Sequence, residues 1–203
     1  LKDIKVVDAG DLIMNGGDLV GSLALLAEAT EKISRAGAIA VVLGGDHSIA
    51  SADVAGIANH LGHGKVSMVH FDAHADTGED QFGALIGHGT PMRRLIESGQ
   101  VRGDRFLQLG LRGYWPDDKT LNWMRDQGMR SYEMTEIHHR GLNKVLDESF
   151  ATLTDGCDGV FLSVDIDVVD PGMAPGTGTP EPGGMTSREL LEAVRRICLE
   201  LPV

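Results

Sequence analysis

The chain has 203 residues, 42 % apolar and 24 % charged, which is enough for one domain with a sizeable core. Its net charge of −12 argues against nucleic acid or an acidic membrane surface as a partner and is compatible with a small cationic substrate. No segment approaches a transmembrane span, no signal peptide is visible, and Cys157 and Cys198 read as unpaired reduced thiols of a cytoplasmic protein.

Ile4–Val7 predicts a short strand leading into a turn at Asp8–Asp11. Asn15–Asp18 then caps a helix whose Leu19, Leu23, Leu26 and Ile33 recur near a period of 3.6, with Gly37 as its stop. Residues 38–43 form an apolar run predicted as a strand, followed by a helix from about Ser48 to Leu61. The pattern repeats as strand 66–72, loop 77–89, helix 90–99, strand 105–110 and helix 117–127. It continues as strand 129–134, helix 140–152, strand 159–165, loop 170–184 and helix 187–200, capped by Thr186 or Ser187. Such alternation predicts one α/β domain over 1–203: a three-layer sandwich with a parallel β-sheet and helices on both faces. Nine of the fifteen residues of loop 170–184 are Gly or Pro, which fixes an irregular backbone suited to the wall of a pocket.

The apolar runs end in polar clusters. Val66–Phe71 is apolar on both faces, as expected of an interior parallel strand, and leads into Asp72, His74 and Asp76. In an extended chain residues two apart share a face, so carboxylate, imidazole and carboxylate point one way. Asp165 and Asp167 follow the strand at 159–165 in the same manner, and Asp46 and His47 follow the run at 38–43. Open α/β sheets bind ligands at the carboxyl ends of their strands. A lone Asp-x-Asp is ordinarily a solvated loop or a helix cap, but three such endings together are hard to explain as structure alone. His47, Asp72, His74, Asp76, Asp165 and Asp167 supply two imidazoles and four carboxylates. That set is too large for one tetrahedral zinc, holds no thiolate, and suits a pair of hard divalent ions such as Mn²⁺.

Gly44-Gly45-Asp46-His47-Ser48, Asp72-Ala73-His74-Ala75-Asp76 and Ser163-Val164-Asp165-Ile166-Asp167-Val168-Val169-Asp170-Pro171 resemble the three signatures of the ureohydrolases, the arginase and agmatinase family. Ala174 to Gly184 resembles the agmatinase-type loop. The resemblance implies hydrolysis of a guanidinium carbon by a hydroxide bridging two Mn²⁺ per subunit. It also implies a small guanidino substrate and a homo-oligomer, trimeric or hexameric. His47 and Asp76 would bind one metal, His74 and Asp167 the other, with Asp72 and Asp165 bridging both and counted among the catalytic residues. His88, in Gly87-His88-Gly89-Thr90, matches the family histidine near the substrate, a proton shuttle to the leaving amine. Family members carry further N- and C-terminal segments, so the chain is expected to be an internal stretch of a longer one.

Around these residues the expectations are plainer. Asp46 and Ser48 flank His47 in a supporting or capping role, Asp170 is structural or supports the ligands from behind, and His70 is a hydrogen-bonded core histidine lying deeper than Asp72. His60, His63, His138 and His139 are expected at the surface, while Glu181 and the Tyr114-Trp115 pair stay open between pocket and periphery. The loop Thr77–Gly87 lacks the arginase Asn/Ser pattern and carries Glu79 and Asp80. This favours an amine-ended substrate, agmatine giving putrescine and urea, over guanidinobutyrate or guanidinopropionate. Arg93 and Arg94 are expected on the following helix. A calcineurin-like phosphoesterase would need a Gly-Asn-His stretch that is absent. An inactive homologue kept for assembly would show a broken metal ligand, and all six are intact.

Overall fold

The computed structural model describes residues 4–114 and 116–203. Its centre is a parallel sheet of four strands, β1 (Val66–Phe71), β2 (Val101–Leu111), β3 (Arg130–Glu133) and β4 (Gly159–Val164), in the order β3-β2-β1-β4. β1 is flanked on both sides and buried at every residue, which is why its sequence shows no polar face.

Seven α-helices and one 3-10 turn (Ile166–Val168) accompany the sheet among the described residues: α1 (Leu19–Arg35), α2 (Ile49–Leu61), α3 (Pro91–Glu97), α4 (Asp118–Asp126), α5 (Met134–Arg140), α6 (Leu142–Thr154) and α7 (Ser187–Glu200). Strand parity divides the core between the two faces of the sheet. Val66, Met68 and Phe106 pack with Ala50, Val54, Met92 and Leu95 of α2 and α3. Val69, Phe71, Leu107 and Leu109 pack with Ile137, Val145, Leu146, Leu190 and Ile197 of α5, α6 and α7. The expected three-layer arrangement follows. Capping agrees with the sequence as well: the Asp18 carboxylate accepts from Gly21 N at 2.9 Å, and Thr186 with Glu189 forms a reciprocal capping box on α7.

Two expectations are corrected. Residues 4–7 and 38–43 are not strands. Ile39, Val41 and Leu43 are 70 %, 82 % and 92 % exposed, and a cleft of about 240 Å³ is lined by Ala38–Ala40 on one side and Val160–Leu162 of β4 on the other. A strand-like pattern without a neighbour at ladder spacing has no partner for its backbone groups. The helix expected at 140–152 is α6, and a helix that was not expected, α5, precedes it over Met134–Arg140, with Gly141 at φ +85° between the two. Trp115 lies outside the described residues, and Tyr114 is exposed. Among the described residues no helix is long and apolar enough to cross a membrane.

Candidate metal centre

The spacing of two in each signature has a local cause that differs from the extended-chain reading. β1 stops at Phe71 and β4 at Val164, so the polar residues lie in turns beyond the strands. In each turn an aspartate accepts from the backbone N–H two residues on: Asp46 Oδ1 from Ser48 N at 2.9 Å, Asp72 Oδ1 from His74 N at 2.7 Å, and Asp165 Oδ1 from Asp167 N at 2.9 Å. These aspartate turns replace the strand geometry. Asp76 takes φ +51°, a left-handed conformation that aspartate tolerates better than most residues and that turns its carboxylate back toward the cluster.

The six predicted ligands converge in two groups that share Asp72. His47 Nδ1 lies 2.9 Å from Asp76 Oδ2, 3.1 Å from Asp72 Oδ2 and 3.4 Å from Asp165 Oδ2. His74 Nδ1 lies 2.9 Å from Asp167 Oδ2 and 3.4 Å from Asp72 Oδ1. One carboxylate therefore addresses two imidazoles, one through each oxygen. The second nitrogen of His47 bonds Ser163 Oγ at 2.9 Å, which orients the ring.

The electrostatics are those of a carboxylate cluster in need of positive charge. Burial lowers the His47 pKa, but the Asp165, Asp72 and Asp76 carboxylates outweigh it and push it up to about 12. Asp167 and Asp72 raise His74 to about 10 against its own burial. Asp72 is held well below the usual carboxylate range by His70, His47 and His74 despite its burial. Burial and the Asp72 charge push Asp76 and Asp167 the other way. The donor set fits cations on a specific observation: His47 Nδ1 is buried and makes no hydrogen bond although three carboxylate oxygens surround it. A nitrogen so placed is satisfied by a cation that it shares with those oxygens.

The flanking residues divide. Asp170 staples both ends of loop 170–184, accepting from Gly172 N and Gly183 N at 2.9 Å each, and so is structural as expected. His88 is exposed on the rim, with Nε2 2.6 Å from Gln81 Nε2 and Nδ1 3.4 Å from Asp46 Oδ2. It stands beside the neighbour of His47 rather than among the six. Glu79 is not free: it is ion-paired with Lys119, while Asp80 Oδ1 accepts from Gly83 N at 2.9 Å. Arg93 packs over Trp123 and pairs with Glu97, and Arg94 bonds the Glu79 carbonyl. His60, His63, His138 and His139 are exposed as expected.

His70 is the buried, hydrogen-bonded histidine that the sequence predicts, and its partner is Asp72, Nε2 to Oδ2 at 2.8 Å. Another residue escaped the sequence reading. Arg112 donates to the carbonyls of Asp167, Val168, Glu181 and Pro182, tying the Gly/Pro-rich loop to the backbone of a candidate ligand. Nothing in the sequence marks it, because its partners are main-chain oxygens. Through its own carbonyl Glu181 is anchored at the rim and half-buried.

Residues 1–202 match the sequence model of the arginase family. The chain is 39 % identical over 194 residues to a guanidinobutyrase of Pseudomonas aeruginosa, covering 95 % of this chain and 59 % of that protein. It is equally 39 % identical over 194 residues to a mitochondrial agmatinase of Gallus gallus, covering 95 % and 55 %. Its fold matches the solved proclavaminate amidino hydrolase of Streptomyces clavuligerus with a TM-score of 0.84 at 36 % identity, over 94 % of this chain and 62 % of the other. The chain thus spans less than two thirds of the length of these relatives.

Proposed function

Because the chain belongs to the arginase family, we propose that its protein is a metal-dependent amidinohydrolase that cleaves a guanidino compound to urea and an amine, with agmatine as substrate and putrescine as product. The observation that carries this reading is Asp72 facing His47 through one oxygen and His74 through the other. His47, Asp76, Asp72 and Asp165 would hold one Mn²⁺, and His74, Asp167 and Asp72 the second, with Asp165 as the other bridge. Bound, the cations supply Lewis acidity and make a water acidic enough to attack near neutral pH, which a resonance-stabilised guanidinium requires.

The chain's own groups do the rest. The four carboxylates balance the charge of two divalent ions. Ser163 holds the His47 ring and the His74 backbone N–H holds Asp72, so the ligands are set before substrate arrives. Arg112 fixes loop 170–184 as one wall. His88, on the rim, passes a proton to the leaving amine. The choice of an amine-ended substrate is supported by the cations near the rim: Arg93, Arg94 and Lys119 are each engaged with Glu97 or Glu79, so none stands ready for a substrate carboxylate.

The test is urea release by the full-length Mn²⁺-loaded protein from agmatine, arginine, 4-guanidinobutyrate and 3-guanidinopropionate. Agmatine preferred a hundredfold, about 2.7 kcal/mol of discrimination, is the expected result. Preference for a guanidino acid would overturn the substrate, and no urea from any of the four would overturn the activity.

A further inference from the structure

A polar row crosses the sheet one step below the candidate ligands. Ser131 of β3 pairs in register with Gln108 of β2, Gln108 with His70 of β1, and His70 with Ser163 of β4. Gln108 and His70 are fully buried and Ser163 nearly so. Each of these three reaches up to the centre: Ser163 to His47, His70 to Asp72, and Gln108 to the carbonyls of His74 and Ala75. We propose that this row positions the metal ligands by fixing the tautomer of His70, so that His70 donates to Asp72 and never itself binds a cation. The proposal rests on the two-cation reading above.

The tautomer follows from groups that can act in only one way. One end of the Gln108 amide lies 3.1 Å from His74 O and 3.0 Å from Ala75 O. Carbonyl oxygens only accept, so that end is the NH₂. The opposite end, the amide oxygen, accepts from Ser131 Oγ at 3.2 Å. The same NH₂, whose two hydrogens are shared among three acceptors, lies 3.0 Å from His70 Nδ1. An amide nitrogen is not an acceptor, so Nδ1 carries no hydrogen and the ring proton sits on Nε2, 2.8 Å from Asp72 Oδ2. His70 clusters with His47, Asp72 and Asp76 closely enough to be counted a ligand. Its Nε2 is nevertheless a donor, and its Nδ1 faces the Gln108 NH₂ rather than the carboxylates, so neither nitrogen offers a lone pair to the centre.

The consequence falls on Asp72. Oδ1 receives the His74 backbone N–H and Oδ2 receives the His70 ring N–H, so each oxygen holds one protein donor. Each keeps one lone pair toward the centre, which suits one cation per oxygen. By binding the carbonyls of His74 and Ala75, Gln108 also fixes the main chain between two further ligands, His74 and Asp76. Partners of this kind are worth about tenfold to a hundredfold in metal affinity.

Two measurements on the full-length protein test this. In the metal-free wild type, long-range ¹H–¹⁵N spectra, with His70 assigned by difference against His70→Gln, should show Nε2–H and a bare Nδ1 at neutral pH. A hydrogen on Nδ1 would overturn the proposal whether or not the protein binds metal. Mn²⁺ titration should then show His70→Phe, which fills the space without a donor, weaker by tenfold or more. His70→Gln, which restores an N–H, should recover most of that loss, and equal affinities in the two variants would overturn the positioning role. A wild type that takes up no Mn²⁺ would bring down the two-cation reading and the positioning role with it, leaving the tautomer to stand or fall on the spectra.

Discussion

Removing the cations should invert the pH dependence of stability. In the metal-free fold His47 and His74 are raised to about 12 and about 10 from an ordinary 6.5. A raised histidine pKa contributes stability that is complete below the unfolded value and is lost as pH climbs through the folded one. Between pH 6.5 and 10 the folded chain then holds two protons that the unfolded chain has released. At about 1.4 kcal/mol per proton and pH unit, stability falls by up to about 2.7 kcal/mol per unit. This is a ceiling, because both rings lean on the one Asp72 carboxylate. With Mn²⁺ bound the imidazoles are neutral ligands, and binding gains as protons are shed, so stability stays level or rises with pH. Urea denaturation at pH 7 and pH 8, in chelator and in saturating Mn²⁺, reads the difference. With a slope of about 2 kcal/mol per molar urea, the chelated midpoint should drop by up to about 1.3 M while the loaded one does not drop. Parallel pH dependences with and without metal would refute the claim that these histidines answer to cations.

Asp53 on α2 is 3 % exposed with Oδ1 unpartnered, and burial raises it to about 7 from 3.8. Its folded form holds the proton more tightly, so stability falls from pH 3.8 to 7, by up to about 4 kcal/mol, and stays low above. Asp53→Asn should therefore gain more at pH 8 than at pH 4 in calorimetry, and a pH-independent effect would contradict this. A Cβ on Gly56 would lie 2.0 Å from Thr30 Oγ1 and 2.3 Å from the Ala27 carbonyl, where α1 and α2 cross. Gly56→Ala should cost about 1–3 kcal/mol in urea melts with Mn²⁺ affinity unchanged, and an unshifted midpoint would show the helices free to part.

Most helices were legible because their signals are local: Asp18 and Thr186 are capping residues and Gly37 is a stop, whereas α5 was not foreseen. β1 was legible because burial on both faces leaves an unbroken apolar run. Residues 38–43 show the limit of that logic, since the same run stands unpaired across a cleft from the edge strand β4. The six candidate ligands proposed from the sequence do lie together, though by a local geometry other than the one expected. Asp72 and His74 share a site through an aspartate turn rather than through strand alternation. Longer-range relations were out of reach. The pairing of His70 with Gln108 is a matter of sheet register, and the Lys119 partner of Glu79 lies 40 residues away. That pair changes the substrate argument from a free acidic loop to an absence of ready cations at the rim.

The most direct test of the account is the number of Mn²⁺ ions retained per chain by the full-length protein after gel filtration, with electron paramagnetic resonance reporting whether they are coupled. Two ions in magnetic contact are predicted, because Asp72 presents one oxygen to each histidine-centred group. A single isolated ion, or none, would contradict the shared-carboxylate centre on which the proposed chemistry rests.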